Sequence, residues 1–346
     1  MRPARILVRA PTWIGDAVMA TPALRALRGA HPSAEIAVEG RPAVGELLEG
    51  LASFDRFLPD PGRGTRATLA RVHALRRGGF DWAVLLPDAT RAALAPWLAR
   101  IPRRVGYARE PLRRALLSEA VATPREGRRR SVIPMTERYL RITRRLGCPD
   151  RGDRLELALD PAAQERVARE LARSGVAPHE RVLAVAPGAA FGPAKRWPPR
   201  HFARACELLA RRHGLRPVLA PAPSETELAR EIAGPLGARA VLLVDPPPGI
   251  AALKALVARA TLVLANDSGA RQIAVALGRP VVVLMGPSDP RHSAQHLERQ
   301  RVLREPVACS PCGLRRCPID HRCMTRLSPE HVLAAAGELL GRDRSP

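Results

Sequence analysis

The sequence predicts an α/β protein made of two successive halves, each a parallel sheet with crossover helices. Three observations carry this. Apolar runs of four or five residues alternate with longer stretches of helical period, the pattern of βαβ units. The alternation stops in a segment rich in Pro, Gly and Arg and then restarts. A chain of 346 residues, 46% of them apolar, is long enough for two cores and too apolar for intrinsic disorder. Residues 1–155 are expected to form the first domain and residues 156–346 the second.

In the first half, Arg5–Arg9 reads as a strand, Asp16–Arg28 as a helix, Glu35–Val38 as a strand and Gly45–Leu51 as a helix. Arg66–Arg77 then reads as a helix, with Trp82–Leu86 and Arg103–Tyr107 as strands. The Pro-, Gly- and Arg-rich stretch runs from Thr123 to Arg130, Met135–Leu146 has helical period, and Pro149–Asp160 is the crossing between halves. The second half opens with the strand Val182–Ala186 and the helix Pro199–Arg212, then the strand Pro217–Ala220 and the helix Ser224–Ala233. Ala240–Val244, Thr261–Ala265 and Pro280–Met285 read as further strands, separated by helices Ile250–Ala258 and Gly269–Leu277. Open α/β sheets bind ligands beyond the carboxyl ends of their strands. Two such halves imply a cleft, lined by the loops after Arg9, Ala186, Ala220, Val244 and Ala265.

The charge is lopsided: 56 Lys+Arg against 33 Asp+Glu give a formal +23, and Lys195 and Lys254 are the only lysines. Three readings compete: nucleic-acid binding, binding to an anionic membrane or phosphorylated substrate, and arginine set by compositional bias. The excess concentrates in Arg100–Arg151, with 15 Arg and five acids. There is no basic zipper, two-Cys two-His finger or aromatic RNA-binding signature, and five Phe with two Tyr make stacking platforms hard to build. No nucleic-acid partner is expected. The longest uncharged stretch, Val182–Ala194, is too short to span a membrane. Pro11 and Asp16 interrupt any signal-peptide apolar region, so the chain is expected in the cytoplasm.

Three loops carry the candidate chemistry. Trp13-Ile14-Gly15-Asp16 puts a glycine and a carboxylate at a strand-to-helix junction, where a lone Asp would ordinarily be a cap or first-turn acid. Pro187 to Pro198 includes Gly188, Gly192, Lys195 and Arg196, and suits a phosphate cradle without Walker spacing. Lys195 also departs from the chain's own preference for Arg. Asn266-Asp267-Ser268-Gly269 opens a helix, so Asp267 and Ser268 read either as caps or as the edge of an anion site. Gly286-Pro287-Ser288 follows the next strand.

Together and in this order, Trp13-Ile14-Gly15-Asp16, Phe191 to Pro198, and Asn266-Asp267-Ser268-Gly269 with Gly286-Pro287-Ser288 resemble the lipopolysaccharide heptosyltransferases of glycosyltransferase family 9. The likeness is strongest to those of type II and runs from Arg5 to about Leu340. It implies a GT-B architecture, two Rossmann-like domains whose parallel sheets face a central cleft, with acceptor in the first and ADP-heptose in the second. By the same resemblance Asp16 is the general base and Lys195 stabilises the leaving ADP. Gly188, Arg196, Asp267, Ser268, Gly269 and, after its own strand, Glu225 hold the donor. Trp13, Gly15, Arg103 and Arg104 are expected on the acceptor, an anionic inner-core glycolipid, with peripheral contact to the cytoplasmic face of the inner membrane. The reaction implied is inverting transfer of L-glycero-D-manno-heptose onto the first heptose of the core, without a catalytic cofactor. Other acceptors, as in heptosyltransferase I, and a non-catalytic nucleotide-sugar or nucleic-acid binder are the alternatives.

Two features depart from that pattern. Gln272 stands where relatives commonly carry a histidine, so the donor contact there has no cation, and Ala189-Ala190 replaces polar residues near the phosphates. Separately, Cys309, Cys312, Cys317 and Cys323 share a 15-residue window that includes His321. A structural zinc, reduced thiols or a stress-formed disulfide each fit that spacing. The window is distant in sequence from the other motifs and is assigned no catalytic role.

Overall fold

The computed structural model describes residues 3–127, 129–244 and 248–342. It divides into two units, Met1–Ala158 with Arg291–Ser293, and Leu159–Pro290 with Ala294–Pro346. No helix among the described residues is long and apolar enough to cross a membrane.

In the first unit, β1 (Arg5–Arg9), β2 (Glu35–Gly40), β3 (Arg56–Pro59), β4 (Trp82–Leu85), β5 (Arg103–Tyr107) and β6 (Glu119–Val121) form one sheet. Its order is β3-β2-β1-β4-β5-β6 and every pairing is parallel. Ile6, Leu7, Val8 and Val84 are fully buried because helices cover both faces, which is why the central strands are apolar without alternation. Helices α1 (Ile14–Met19), α2 (Thr21–Ala30) and α3 (Pro42–Leu48) follow the inner strands, and α4 (Thr65–Gly78), α5 (Thr90–Leu98) and α6 (Pro111–Leu116) serve the outer ones. A short hairpin, β7 (Arg125–Glu126) and β8 (Arg129–Arg130), precedes α7 (Met135–Arg145), which packs on α2. The segment beyond α7 stays with this unit because Arg25 binds the carbonyls of Gly152 and Arg154 and the Glu156 carboxylate.

The second unit repeats the plan. It contains α8 (Pro161–Arg173), β9 (Val182–Ala186), α9 (Pro199–His213), β10 (Arg216–Leu219), α10 (Thr226–Ala233), β11 (Val241–Leu242) and α11 (Ile250–Arg259). Then come β12 (Leu262–Asn266), α12 (Gly269–Ala276), β13 (Val281–Leu284), β14 (Gln300–Leu303), α13 (Arg322–Thr325) and α14 (Pro329–Arg342). The order β11-β10-β9-β12-β13-β14 matches that of the first sheet, again all parallel. Both sheets thus reverse direction once, between β1 and β4 and between β9 and β12, the switch points where such folds bind ligands.

The expected single helix over Asp16–Arg28 is two, broken at Ala20. Pro22 in the first turn of α2 has no N–H to give to the turn before it, and the Thr21 hydroxyl bonds the Val18 carbonyl instead. The helix expected at Gly45–Leu51 starts earlier, at Pro42, a residue whose fixed φ suits a first position. Elements absent from the expectation have weak local signals: β3 is a four-residue edge strand ending in Pro, and α5 contains Pro96. Helix α8 is a different case. Asp160 caps it by accepting from the amides of Ala162 and Ala163, so its start was legible, yet the segment before it reads only as a crossing.

Candidate functional site

In the second unit, the loop after β9 and the start of α12 meet across the switch point. Lys195 Nζ lies 2.9 Å from Asp267 Oδ2 and also donates to the Asp267 carbonyl at 3.3 Å. The other carboxylate oxygen accepts from Arg271 Nη1 at 3.1 Å, one turn further along α12. Arg271 is 1% exposed, and Gln300 on β14 fixes it by accepting from its Nε at 2.8 Å. Burial alone would raise the Asp267 carboxyl, but Lys195 and Arg271 reverse that and hold its pKa at about 2. A carboxylate shared by two cations leaves a net positive charge beside the N-terminus of α12. The Ser268 side chain, at the position before that helix, makes no capping bond to it.

Asn266, fully buried at the end of β12, holds the loop in place. Its Oδ1 accepts from the Trp197 amide at 3.1 Å and its Nδ2 donates to the Pro187 carbonyl at 2.6 Å, so one side chain ties both ends of the loop that carries Lys195. Removing either bond would leave a buried polar group unpaired, which costs about 1–3 kcal/mol. Glu225, in the turn after β10, approaches the same loop. Burial raises its carboxyl above the ordinary value, while Arg196 and the Ala189 amide favour the charged form. Gly188 makes room for it, because a Cβ there would sit 1.9 Å from Glu225 Oε2. Gln272 is 6% exposed in the first turn of α12.

The Cys-rich window is not remote from these residues in space. Arg315 Nε donates to the Phe191 carbonyl at 2.8 Å, the Ala194 amide donates to the Arg315 carbonyl at 3.1 Å, and His321 Nε2 meets the Ala194 carbonyl at 2.7 Å. Gly192 is needed at this join, where a Cβ would lie 2.4 Å from the Arg315 carbonyl oxygen. The same window reaches the turn after β13, with Ser310 Oγ donating to the Gly286 carbonyl at 2.7 Å. It therefore braces the Lys195 loop, a role that sequence distance concealed. Of the three readings of that window, the structural zinc finds no support: among the described residues no group of three or more His, Cys, Asp or Glu side chains is arranged to hold a metal ion. Cys309 and Cys312 are exposed and Cys323 is buried. Burial, and then the three neighbouring thiols, push the Cys323 thiol up to about 11.

In the first unit, Asp16 occupies the first turn of α1, beyond the carboxyl end of β1, with the exposed Trp13 at the position preceding the helix. The loop after β4, across the switch point, carries Asp88. Arg113, fully buried, shapes that loop by donating to the carbonyls of Pro87, Ala89 and Tyr107. Asp88 accepts from Arg138 Nη2 at 2.5 Å. The charges of both carboxylates act on the buried Tyr139, whose hydroxyl is raised by burial first and then by Asp16 and Asp88. Under the adjoining strand ends, Arg9 and Arg71 share the buried Glu39 and pair with Asp60. Arg103 and Arg104 are not brought to this place. They begin β5, at the amino edge of the sheet, where Arg103 pairs with Glu119 at 2.6 Å and covers the Trp82 ring. Arg104 donates to the carbonyls of Leu116, Ile101 and Pro102.

The profile of glycosyltransferase family 9 (heptosyltransferase) matches residues 68–322. The chain belongs to that family. It is 30% identical over 314 residues to lipopolysaccharide heptosyltransferase 2 of Salmonella typhimurium, covering 87% of this chain and 88% of that relative. Among solved structures, the ADP-heptose lipopolysaccharide heptosyltransferase II of E. coli superposes with a TM-score of 0.79 at 27% identity, covering 99% of this chain and 100% of the other. The E. coli heptosyltransferase WaaC with ADP-2-deoxy-2-fluoro heptose shares the fold, with a TM-score of 0.70 at 20% identity over 96% of this chain and 99% of that one. This family 9 chain is a glycosyltransferase with the α/β GT-B fold. Of the site residues given no role from the sequence, Arg271, Asp88 and Arg113 have no periodic or motif signature, and Asn266 was quoted in a motif but without a role.

Proposed function

We propose that this family 9 enzyme transfers L-glycero-D-manno-heptose, with inversion, from ADP-heptose to the first heptose of the lipopolysaccharide inner core. The observation that carries the reading is the Lys195–Asp267–Arg271 cluster at the N-terminus of α12, a fixed positive site of the kind a departing diphosphate needs. Relatives named lipopolysaccharide heptosyltransferase 2, and the similar E. coli ADP-heptose lipopolysaccharide heptosyltransferase II, support the donor and acceptor classes. In this reading Asp16 takes the proton from an acceptor hydroxyl as that oxygen attacks the anomeric carbon. The bond from that carbon to the diphosphate oxygen breaks and its electron pair leaves with ADP. Lys195, Arg196 and the N-terminal amides of α12 neutralise the charge that develops there, with Ser268 and Gly269 against the diphosphate. Glu225 holds the nucleoside part, and Trp13 and Gly15 face the acceptor. The acceptor lipid places the enzyme on the cytoplasmic face of the inner membrane.

The test is ADP release from ADP-heptose with two purified core acceptors, one ending in a single heptose and one with none. Release with the first alone is expected. Release with the heptose-free acceptor alone moves the enzyme to the preceding transfer, and release with neither rejects the reading.

One residue of the donor side has a clean test. Gly188→Ala should push the Glu225 carboxylate out of its place, since the two would overlap. We expect the KM for ADP-heptose to rise about tenfold, the equivalent of about 1.4 kcal/mol, with kcat nearly unchanged. Steady-state kinetics with donor varied would show it, and an unchanged KM would detach Glu225 from donor binding.

A further inference from the structure

The first unit carries a surface that the transfer reaction does not use. Helices α4, α5 and α6 make the crossovers β3 to β4, β4 to β5 and β5 to β6, all in one direction along the sheet, so right-handed connections set all three on the same face. Helix α5 packs between the other two. Their inward sides supply Val72, Leu75, Ala93 and Leu116 to the core. Their outward sides are not polar in the usual way: Leu69 is 61% exposed, Leu94 37%, Trp97 44% and Leu112 66%. The other large apolar side chains exposed among the described residues are scattered over separate loops and the α1 start, so this is where they gather.

The charge around them has one sign. Residues 61–118 contain 12 Arg and three acids, and none of the acids lies within α4, α5 or α6. Each acid is engaged: Asp81 with the amides of Ala4 and Arg5, Asp88 with Arg138, and Glu110 with the Thr90 hydroxyl. Helical spacing puts Arg66, Leu69 and Arg77 along one side of α4, and Arg91, Leu94 and Trp97 along one side of α5, all exposed. Compositional bias explains many arginines, but it explains neither the missing acids nor the leucines and tryptophan set among the cations.

We propose that the α4–α5–α6 face is a docking surface for a bilayer carrying anionic lipid. Leu69, Leu94, Trp97 and Leu112 would enter the interface between headgroups and acyl chains, the level an amphipathic tryptophan prefers, while the surrounding arginines meet lipid phosphates. Nucleic acid would use the cations and leave the apolar side chains in water. A protein partner, or a second copy of this chain, would have to carry a large acidic rim around an apolar centre. A bilayer with anionic lipid matches both halves of the pattern at once.

The experiment is co-sedimentation of the full chain with vesicles of phosphatidylcholine containing about a third phosphatidylglycerol, against vesicles of phosphatidylcholine alone. Wild type should pellet with the first, not the second, and be released by high salt. The triple variant Arg66→Glu, Arg77→Glu, Arg91→Glu should lose more than about tenfold in partitioning. Leu94→Ser with Trp97→Ser, which keeps every cation, should lose about tenfold. Both sets alter exposed positions, and unchanged circular dichroism and ADP release on a lipid-free core oligosaccharide would show the fold and the transfer site intact. That last readout also separates this inference from the heptosyl reading, because vesicle binding needs neither donor nor acceptor. Wild type that stays in the supernatant overturns the proposal, as do variants that bind like wild type. Self-association of wild type without lipid, lost in the Leu94/Trp97 variant, would overturn it in favour of an interface between copies.

Discussion

Asp16→Asn should abolish heptosyl transfer, lowering kcat by about 10²- to 10⁴-fold, the usual contribution of a general base, while ADP-heptose still binds. The substitution is nearly isosteric and removes the one property the proposed mechanism asks of this residue, the capacity to accept a proton. Structural damage should be small. Asp16 sits in the first turn of α1, where loss of a negative charge near a helix N-terminus costs about 0.3–1 kcal/mol. Isothermal titration with ADP-heptose and a coupled assay of ADP release read the two halves of the prediction separately. A variant turning over at near the wild-type rate would remove Asp16 from the proton transfer. Asp88, in the loop after β4 across the switch point, would then be next to test.

Lys195→Ala should lower kcat/KM for the donor by about 10²- to 10³-fold, the effect of deleting one preorganised charge at a departing anion. The double clamp on Asp267 explains why the lysine is available for that task. Arg271 is buried against the same carboxylate, so Asp267 keeps a counter-ion when Lys195 turns toward a phosphate. The pH behaviour follows from the same pairings. Asp267 titrates at about 2 instead of its ordinary 3.8, so the stability its ion pairs contribute is complete above about pH 4 and lost as pH falls through about 2. An acid limb in the rate profile above pH 4 therefore belongs to another group. With Lys195 removed, one of the two cations is gone, the Asp267 pKa rises, and the acid loss of Tm moves to higher pH. Unaltered donor kinetics in Lys195→Ala would take the residue out of the phosphate site.

The inner strands of both sheets were legible because a buried parallel strand writes itself as a short apolar run: β1 over Arg5–Arg9 and β9 over Val182–Ala186 have the expected bounds. Helices with strong period, such as α9 and α7, were equally plain. Edge strand β3 was not, since its hydrogen bonds come from β2 and its own four residues hold only Phe57 and Leu58 as long apolar side chains. The motif residues Lys195 and Asp267 could be picked out singly. That they touch could not, because 72 residues separate them and their meeting depends on β9 and β12 being neighbours.

Local sequence alone determined the α/β class, the two-fold repetition and the motifs at the strand ends, because period, capping and composition act over a few residues. The tertiary structure decided the rest. It put Arg271 behind Asp267, made Asn266 the tie of the Lys195 loop, and laid the Cys-rich window on that loop instead of far from it. It also sent Arg103 and Arg104 to the amino edge of a sheet whose carboxyl edge carries Asp16. The direction of a strand settles which edge each of its ends occupies, and strand order settles which loops share a switch point. Neither is a property of any short run of residues, so neither can be read from one.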